Sequence, residues 1–108
     1  MTYSKVNDVA YWLSNSIFSE FKEGEISAWI FGSSVSKFAD SNDCDVFILI
    51  HENSMGKLAQ LSLLWKRTFE NQFGIPLHLT RLSFQESQSA QSFMEAIFSK
   101  PTIQLCSQ

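Results

Sequence analysis

The sequence has 108 residues, 44% of them apolar, with ten Phe and three Trp, and a net charge of −3. This length suits one domain over 1–108 with a single modest core, and the apolar content excludes intrinsic disorder. The eight Lys and Arg are scattered without a basic patch, which removes the footing for sequence-independent capture of long nucleic acid. A single nucleotide held through a metal ion needs no such patch.

Val6, Val9, Ala10, Leu13, Ile17 and Phe21 recur at three and four residues. This spacing predicts an amphipathic helix from about Ser4 to Phe21, with Gly24 as its C-cap. Ile26 to Phe31 is short and mostly apolar, and Gly32-Ser33-Ser34 follows it. That pattern fits a central strand ending in a tight turn. A polar loop leads to a second strand, Asp43 to Ile50, whose apolar run Val46 to Ile50 predicts cover on both faces.

Ser54 is placed to cap a second helix, from about Met55 to Gln72. Its apolar stripe is read as Leu58, Leu61, Leu64 with Trp65, and Phe69, and Phe73-Gly74 closes it. Pro76 suits a strand start. From Leu77 the residues alternate, with Leu77 and Leu79 on one face and His78 and Thr80 on the other. Ser83 and Glu86 have capping-box spacing, so a helix is predicted to begin at Phe84. Phe93, Met94, Ile97 and Phe98 mark a clearer helix, which Lys100-Pro101 stops. Thr102 to Leu105 reads either as a short last strand or as a packed tail. The expected fold is therefore α/β (α+β), a small mixed sheet of three to four strands with helices packed on it.

Cys44 and Cys106 do not form a disulfide framework. Cys44 reads as a small buried thiol. The opening Met-Thr-Tyr-Ser-Lys has no apolar leader, and no stretch reaches bilayer-spanning length. A reducing, cytoplasmic setting is the expectation, with no membrane role.

Asp43 and Asp45 lie two residues apart, so on a strand both side chains share a face. Two such carboxylates repel, and burial without a partner is costly. A divalent cation relieves this; Mg²⁺ takes oxygen ligands and commonly bridges one or two carboxylates to phosphates. Upstream, Gly32 allows close backbone approach, Ser33 and Ser34 offer hydroxyls, and N–H groups in such a turn suit phosphate oxygens. The competing reading of the two aspartates is turn capping and solubility at a strand entrance.

Gly32-Ser33, the intervening loop, and Asp43-x-Asp45 opening an apolar strand resemble the nucleotidyltransferase superfamily typified by DNA polymerase beta, especially its minimal single-domain prokaryotic members. The resemblance covers roughly Val6 to Leu82. It implies attack of a hydroxyl on the alpha phosphate of a nucleoside triphosphate, transfer of a nucleoside monophosphate, and release of pyrophosphate. It also implies Mg²⁺ or Mn²⁺, with two ions typically held by Asp43 and Asp45. Gly32 and Ser33 would hold the beta and gamma phosphates, with Ser34 and Lys37 as further candidates.

The chain departs from the family pattern in one respect above all. The family's third carboxylate lies on the next sheet strand, but Leu77 to Thr80 contains no Asp or Glu. His78 is the nearest substitute, as a proton acceptor, or else an ordinary strand histidine. Glu86, Asp40 and His51 are weaker candidates, Asp40 as a loop cap and His51 as a loop histidine. Lys37 is the only cation in the loop Val35 to Asn42, where relatives carry arginine and glycine. Small relatives often act beside a separate helical partner of toxin–antitoxin type. Trp12, Trp65, Phe93 and Phe98 leave room for such a partner or for a second copy, though core packing explains most of these aromatics. Three readings therefore stand: active nucleotidyl transfer; a degenerate member that binds nucleotide or partner without transfer; or a structural or regulatory α/β module outside the family, with Asp43 and Asp45 pointing into solvent away from the Gly32 turn.

Overall fold

The computed structural model describes residues 5–107. Five α-helices and four strands follow in the order α1 (Lys5–Phe18), β1 (Ile26–Phe31), α2 (Ser33–Ser36), β2 (Cys44–Ile50), α3 (Met55–Phe73), β3 (Leu77–Ser83), α4 (Phe84–Ser87), α5 (Gln91–Phe98) and β4 (Thr102–Leu105). The strands form one mixed sheet, ordered β3-β2-β1-β4. The tail alternative for Thr102 to Leu105 is thereby excluded.

β1 and β2 pair antiparallel, with Phe31 opposite Asp45. β4 pairs antiparallel on the other side of β1, with Thr102 opposite Phe31. β3 lies parallel to β2, with Cys44 opposite Leu77 and Asp45 opposite His78. A parallel pair needs a crossover, and α3 supplies it. One edge of the sheet thus gathers the C-terminal end of β1 and the N-terminal ends of β2, β3 and β4.

The strands bury both faces. On one, Ile30, Val46, Ile48 and Leu77 meet Val9, Leu13 and Ile17 of α1 and Leu58, Trp65 and Phe69 of α3. On the other, Phe31, Phe47 and Leu49 meet Ile97 and Met94 of α5 and Phe84 of α4. Cover on both faces is why Val46 to Ile50 is a continuous apolar run.

Several boundaries differ from the periodicity reading. α1 ends at Phe18, and the chain then tightens, with Glu20 N–H donating to the Ile17 carbonyl at 3.1 Å. Phe21 still packs in the core, so the apolar stripe outlasts the helix. Ser4, the expected start, lies outside the described residues. Gly24, at φ +88°, turns the chain ahead of β1 rather than directly capping α1.

On α3 the buried stripe is Leu58, Ser62, Trp65 and Phe69, and Leu64 is 52% exposed. Trp65 takes the core position because the larger ring fills the space beside Phe21. Ser54 stands at the N-cap without a side-chain cap bond. Its hydroxyl instead donates to the Glu25 carboxylate at 2.6 Å, which ties the start of α3 to the start of β1. That bond and the Lys22 N–H hold the Glu25 carboxyl below its usual range. The Ser83–Glu86 capping box forms as expected.

Candidate functional site

Antiparallel pairing decides the local geometry. In a parallel arrangement the end of β1 and the start of β2 would lie a strand length apart, about 20 Å. Here they are neighbours, so the Gly32 turn sits beside Asp45. A Cβ added at Gly32 would meet Asp45 Oδ2 at 3.8 Å.

Gly32 has φ +83° and ψ −149°, a region essentially reserved for glycine. Its N–H donates to the Pro101 carbonyl at 2.9 Å, so it is committed to the fold and does not face a ligand. Ser33 is exposed at the start of α2. Helix-opening N–H groups such as those of Ser33 and Ser34 have no intrahelical partner. Ser34 is fully buried, and its hydroxyl donates to the Phe31 carbonyl at 3.3 Å. That bond occupies the hydroxyl which the sequence offered as a phosphate-binding candidate. Gly32→Ala is expected to cost about 1–3 kcal/mol through the backbone, because the added Cβ makes only an ordinary contact. A denaturant midpoint unchanged from wild type would contradict this.

Asp43 precedes β2 and Asp45 lies in it, and both side chains are about one-third exposed, at 32% and 33%. His78 projects from the adjacent strand, with Nδ1 3.3 Å from Asp43 Oδ2 and 3.6 Å from Asp45 Oδ1. One ligand atom from each of the three lies within 4.8 Å of the others. Burial pushes the Asp45 carboxyl above its usual range and the charge of Asp43 adds to this, while His78 and Lys100 oppose it.

Lys100 is the cation that sequence reasoning missed. Its Nζ lies 5.6 Å from the centre of the Phe31 ring, and its charge acts on Asp45. Only the pairing of β4 with β1 brings it here, and no local signal announces that pairing. Lys37 is exposed after α2, with no ion pair among the described residues.

The weaker candidates lie elsewhere. His51 follows the opposite end of β2, where its N–H donates to the Glu25 carbonyl. Glu86 is engaged by the Ser83 N–H at 3.0 Å, beyond the far end of β3. Asp40 is exposed in a 3-10 turn, Phe38–Asp40. A groove lined by Tyr11, Trp12, Asn15 and Phe73 runs along α1, and none of the carboxylate cluster lines it.

Cys44 sits under the site, fully buried. Burial pushes its thiol up to about 12, and Asp45 and Asp43 add to the rise against a Ser34 hydrogen bond. Such a thiol is unreactive. With Cys106 exposed, a thiol reagent is expected to label one cysteine in the native protein and two in denaturant. Rapid native labelling of Cys44 would contradict its placement.

No family model, curated protein or solved structure matches the chain.

Proposed function

We propose that this chain is a metal-dependent nucleotidyltransferase-like protein, related to the superfamily typified by DNA polymerase beta. The observation that carries the reading is the meeting of the Gly32 turn with Asp43 and Asp45 at one sheet edge. The donor chemistry fits a divalent cation: two carboxylates, each about one-third exposed, lie together beside an imidazole. Mg²⁺ or Mn²⁺ on Asp43 and Asp45 supplies charge neutralisation for a triphosphate and for the departing pyrophosphate.

In this reading Gly32 keeps the turn free of a side chain beside the phosphates. Ser33 offers its hydroxyl and helix-opening N–H. Lys100 offsets excess negative charge beside Asp45 in the unloaded protein. An acceptor hydroxyl attacks the alpha phosphorus, the bond to the bridging oxygen of the beta phosphate breaks, and pyrophosphate leaves. The acceptor's proton passes to solvent or a neighbouring base. The expected setting is the cytoplasm. No helix among the described residues is long and apolar enough to cross a membrane.

A second reading, nucleotide or partner binding without transfer, is favoured by one observation. The residue in register with Asp45 on β3 is His78, not a carboxylate. Leu63 and Leu64, exposed on α3, offer apolar surface for a helical partner or a second copy.

The test is incubation with each alpha-labelled nucleoside triphosphate and Mg²⁺ or Mn²⁺, following retention by filter binding and release of pyrophosphate. Retention that Asp43→Asn abolishes supports the site, and pyrophosphate release that follows the same pattern supports transfer. Retention without release favours the second reading. Failure to retain any triphosphate with either ion would sink the nucleotide assignment.

A further inference from the structure

The imidazole of His78 faces both carboxylates nearly evenly. Its Nδ1 lies 3.3 Å from Asp43 Oδ2 and 3.6 Å from Asp45 Oδ1. Both separations exceed the roughly 2.7–2.9 Å of a charge-assisted hydrogen bond. They are compatible with the roughly 3–3.4 Å between neighbouring ligand atoms on one ion, and the ligand atoms of all three residues lie within 4.8 Å of one another. The His78 side chain is 58% exposed.

We propose that His78 is a metal ligand through Nδ1, so that Asp43, Asp45 and His78 form one nitrogen–oxygen site selecting Zn²⁺, and more weakly Mn²⁺, over Mg²⁺. Mg²⁺ is a hard ion that prefers oxygen, whereas imidazole suits later first-row cations. Register fixes the set. Asp45 and His78 are partners on parallel strands, and Asp43 lies two residues before Asp45. Replacing a third acid by an imidazole removes one negative charge and one oxygen from the site. It thereby shifts preference away from Mg²⁺ without reducing the number of protein ligands. This inference rests on the metal-binding part of the proposed function and not on transfer.

The test is calorimetric titration of the full chain with ZnCl₂, MnCl₂ or MgCl₂ alone. A Cys106→Ser background removes the exposed thiol as a competing zinc ligand. We expect one Zn²⁺ bound at least about 100-fold more tightly than Mg²⁺, with Mn²⁺ between them. His78→Ala should weaken Zn²⁺ at least about tenfold and leave Mg²⁺ nearly unchanged. His78→Asp should narrow the Zn²⁺/Mg²⁺ ratio by strengthening Mg²⁺. Co²⁺ gives an independent readout, an intense visible band in wild type that is lost in His78→Ala. Thermal melts keep the variants interpretable, since an exposed side chain contributes little to folding. Zn²⁺ binding unchanged by His78→Ala, or Mg²⁺ bound as tightly as Zn²⁺, would overturn the proposal. Triphosphate retained with Mg²⁺ while Zn²⁺ affinity is indifferent to His78→Ala overturns the proposal and leaves nucleotide binding intact. Zn²⁺ binding that depends on His78, without triphosphate retention, supports it and removes the nucleotide reading instead.

Discussion

Asp45→Asn is expected to stabilise the ligand-free protein and to abolish the proposed divalent-cation binding. Burial and the neighbouring Asp43 charge hold the Asp45 carboxyl above its usual range. The folded state therefore favours the protonated form. The contribution of Asp45 to stability is fully present below the ordinary carboxylate range and is lost as pH rises through the raised value. At neutral pH the ionised group is a cost that asparagine removes. We expect the variant to melt roughly 2–4 °C higher at pH 7, a change below about 1 kcal/mol for a domain of this size. The gap should close near pH 3, where both side chains are uncharged. Affinity for a divalent ion should fall at least about 100-fold, since a charged ligand is lost outright. A lower melting point at pH 7, or cation binding retained at wild-type strength, would contradict this. Gain in stability with loss of binding is the trade expected of a site built for a ligand.

Phe47→Ala carries the largest expected stability effect. Phe47 is completely buried in β2. It stacks on Trp29 at 5.8 Å and meets the edges of Phe93 and Phe98 at 6.1 and 6.0 Å. Truncation removes transfer free energy and leaves a cavity, a loss of about 3–5 kcal/mol. That is a large fraction of the roughly 5–15 kcal/mol that holds a domain together. The same cluster seats α5, and the segment leaving α5 carries Lys100 and the Pro101 carbonyl that binds the Gly32 N–H. The core of this face therefore supports the candidate site. Urea unfolding should show the loss directly, and Phe93→Ala, at a residue 44% exposed, should cost far less. A Phe47→Ala midpoint within about 1 kcal/mol of wild type would contradict the packing.

What the sequence makes legible follows the range of the interactions. β1, the apolar run of β2, the closure of α3 at Gly74 and the Ser83–Glu86 box depend on near neighbours, and local pattern locates them. The choice between Leu64 and Trp65 on α3 depends on which side chain fits beside Phe21, a contact distant in sequence. Ser54 has a capping residue's place, yet its hydroxyl serves Glu25, from another element. The carboxylate pair is readable from the spacing of Asp43 and Asp45, and His78 from the alternation that begins at Leu77. Their meeting is not readable, because it needs β3 parallel to β2 in the register that sets His78 opposite Asp45. Lys100 and Pro101 are least legible of all. Their approach to Asp45 and Gly32 rests on β4, a four-residue strand whose local pattern also suits a tail.

Whether Asp43, Asp45 and the Gly32 turn hold a divalent cation with a triphosphate, as proposed, is tested most directly by a crystal structure of the protein with Mn²⁺ and a non-hydrolysable nucleoside triphosphate, read by the anomalous signal of the ion. The expected result is a peak bonded to carboxylate oxygens of both Asp43 and Asp45, with phosphate oxygens against the Gly32-Ser33 turn. A well-diffracting crystal grown at saturating ligand, with the carboxylates free of metal and the turn free of phosphate, would contradict it.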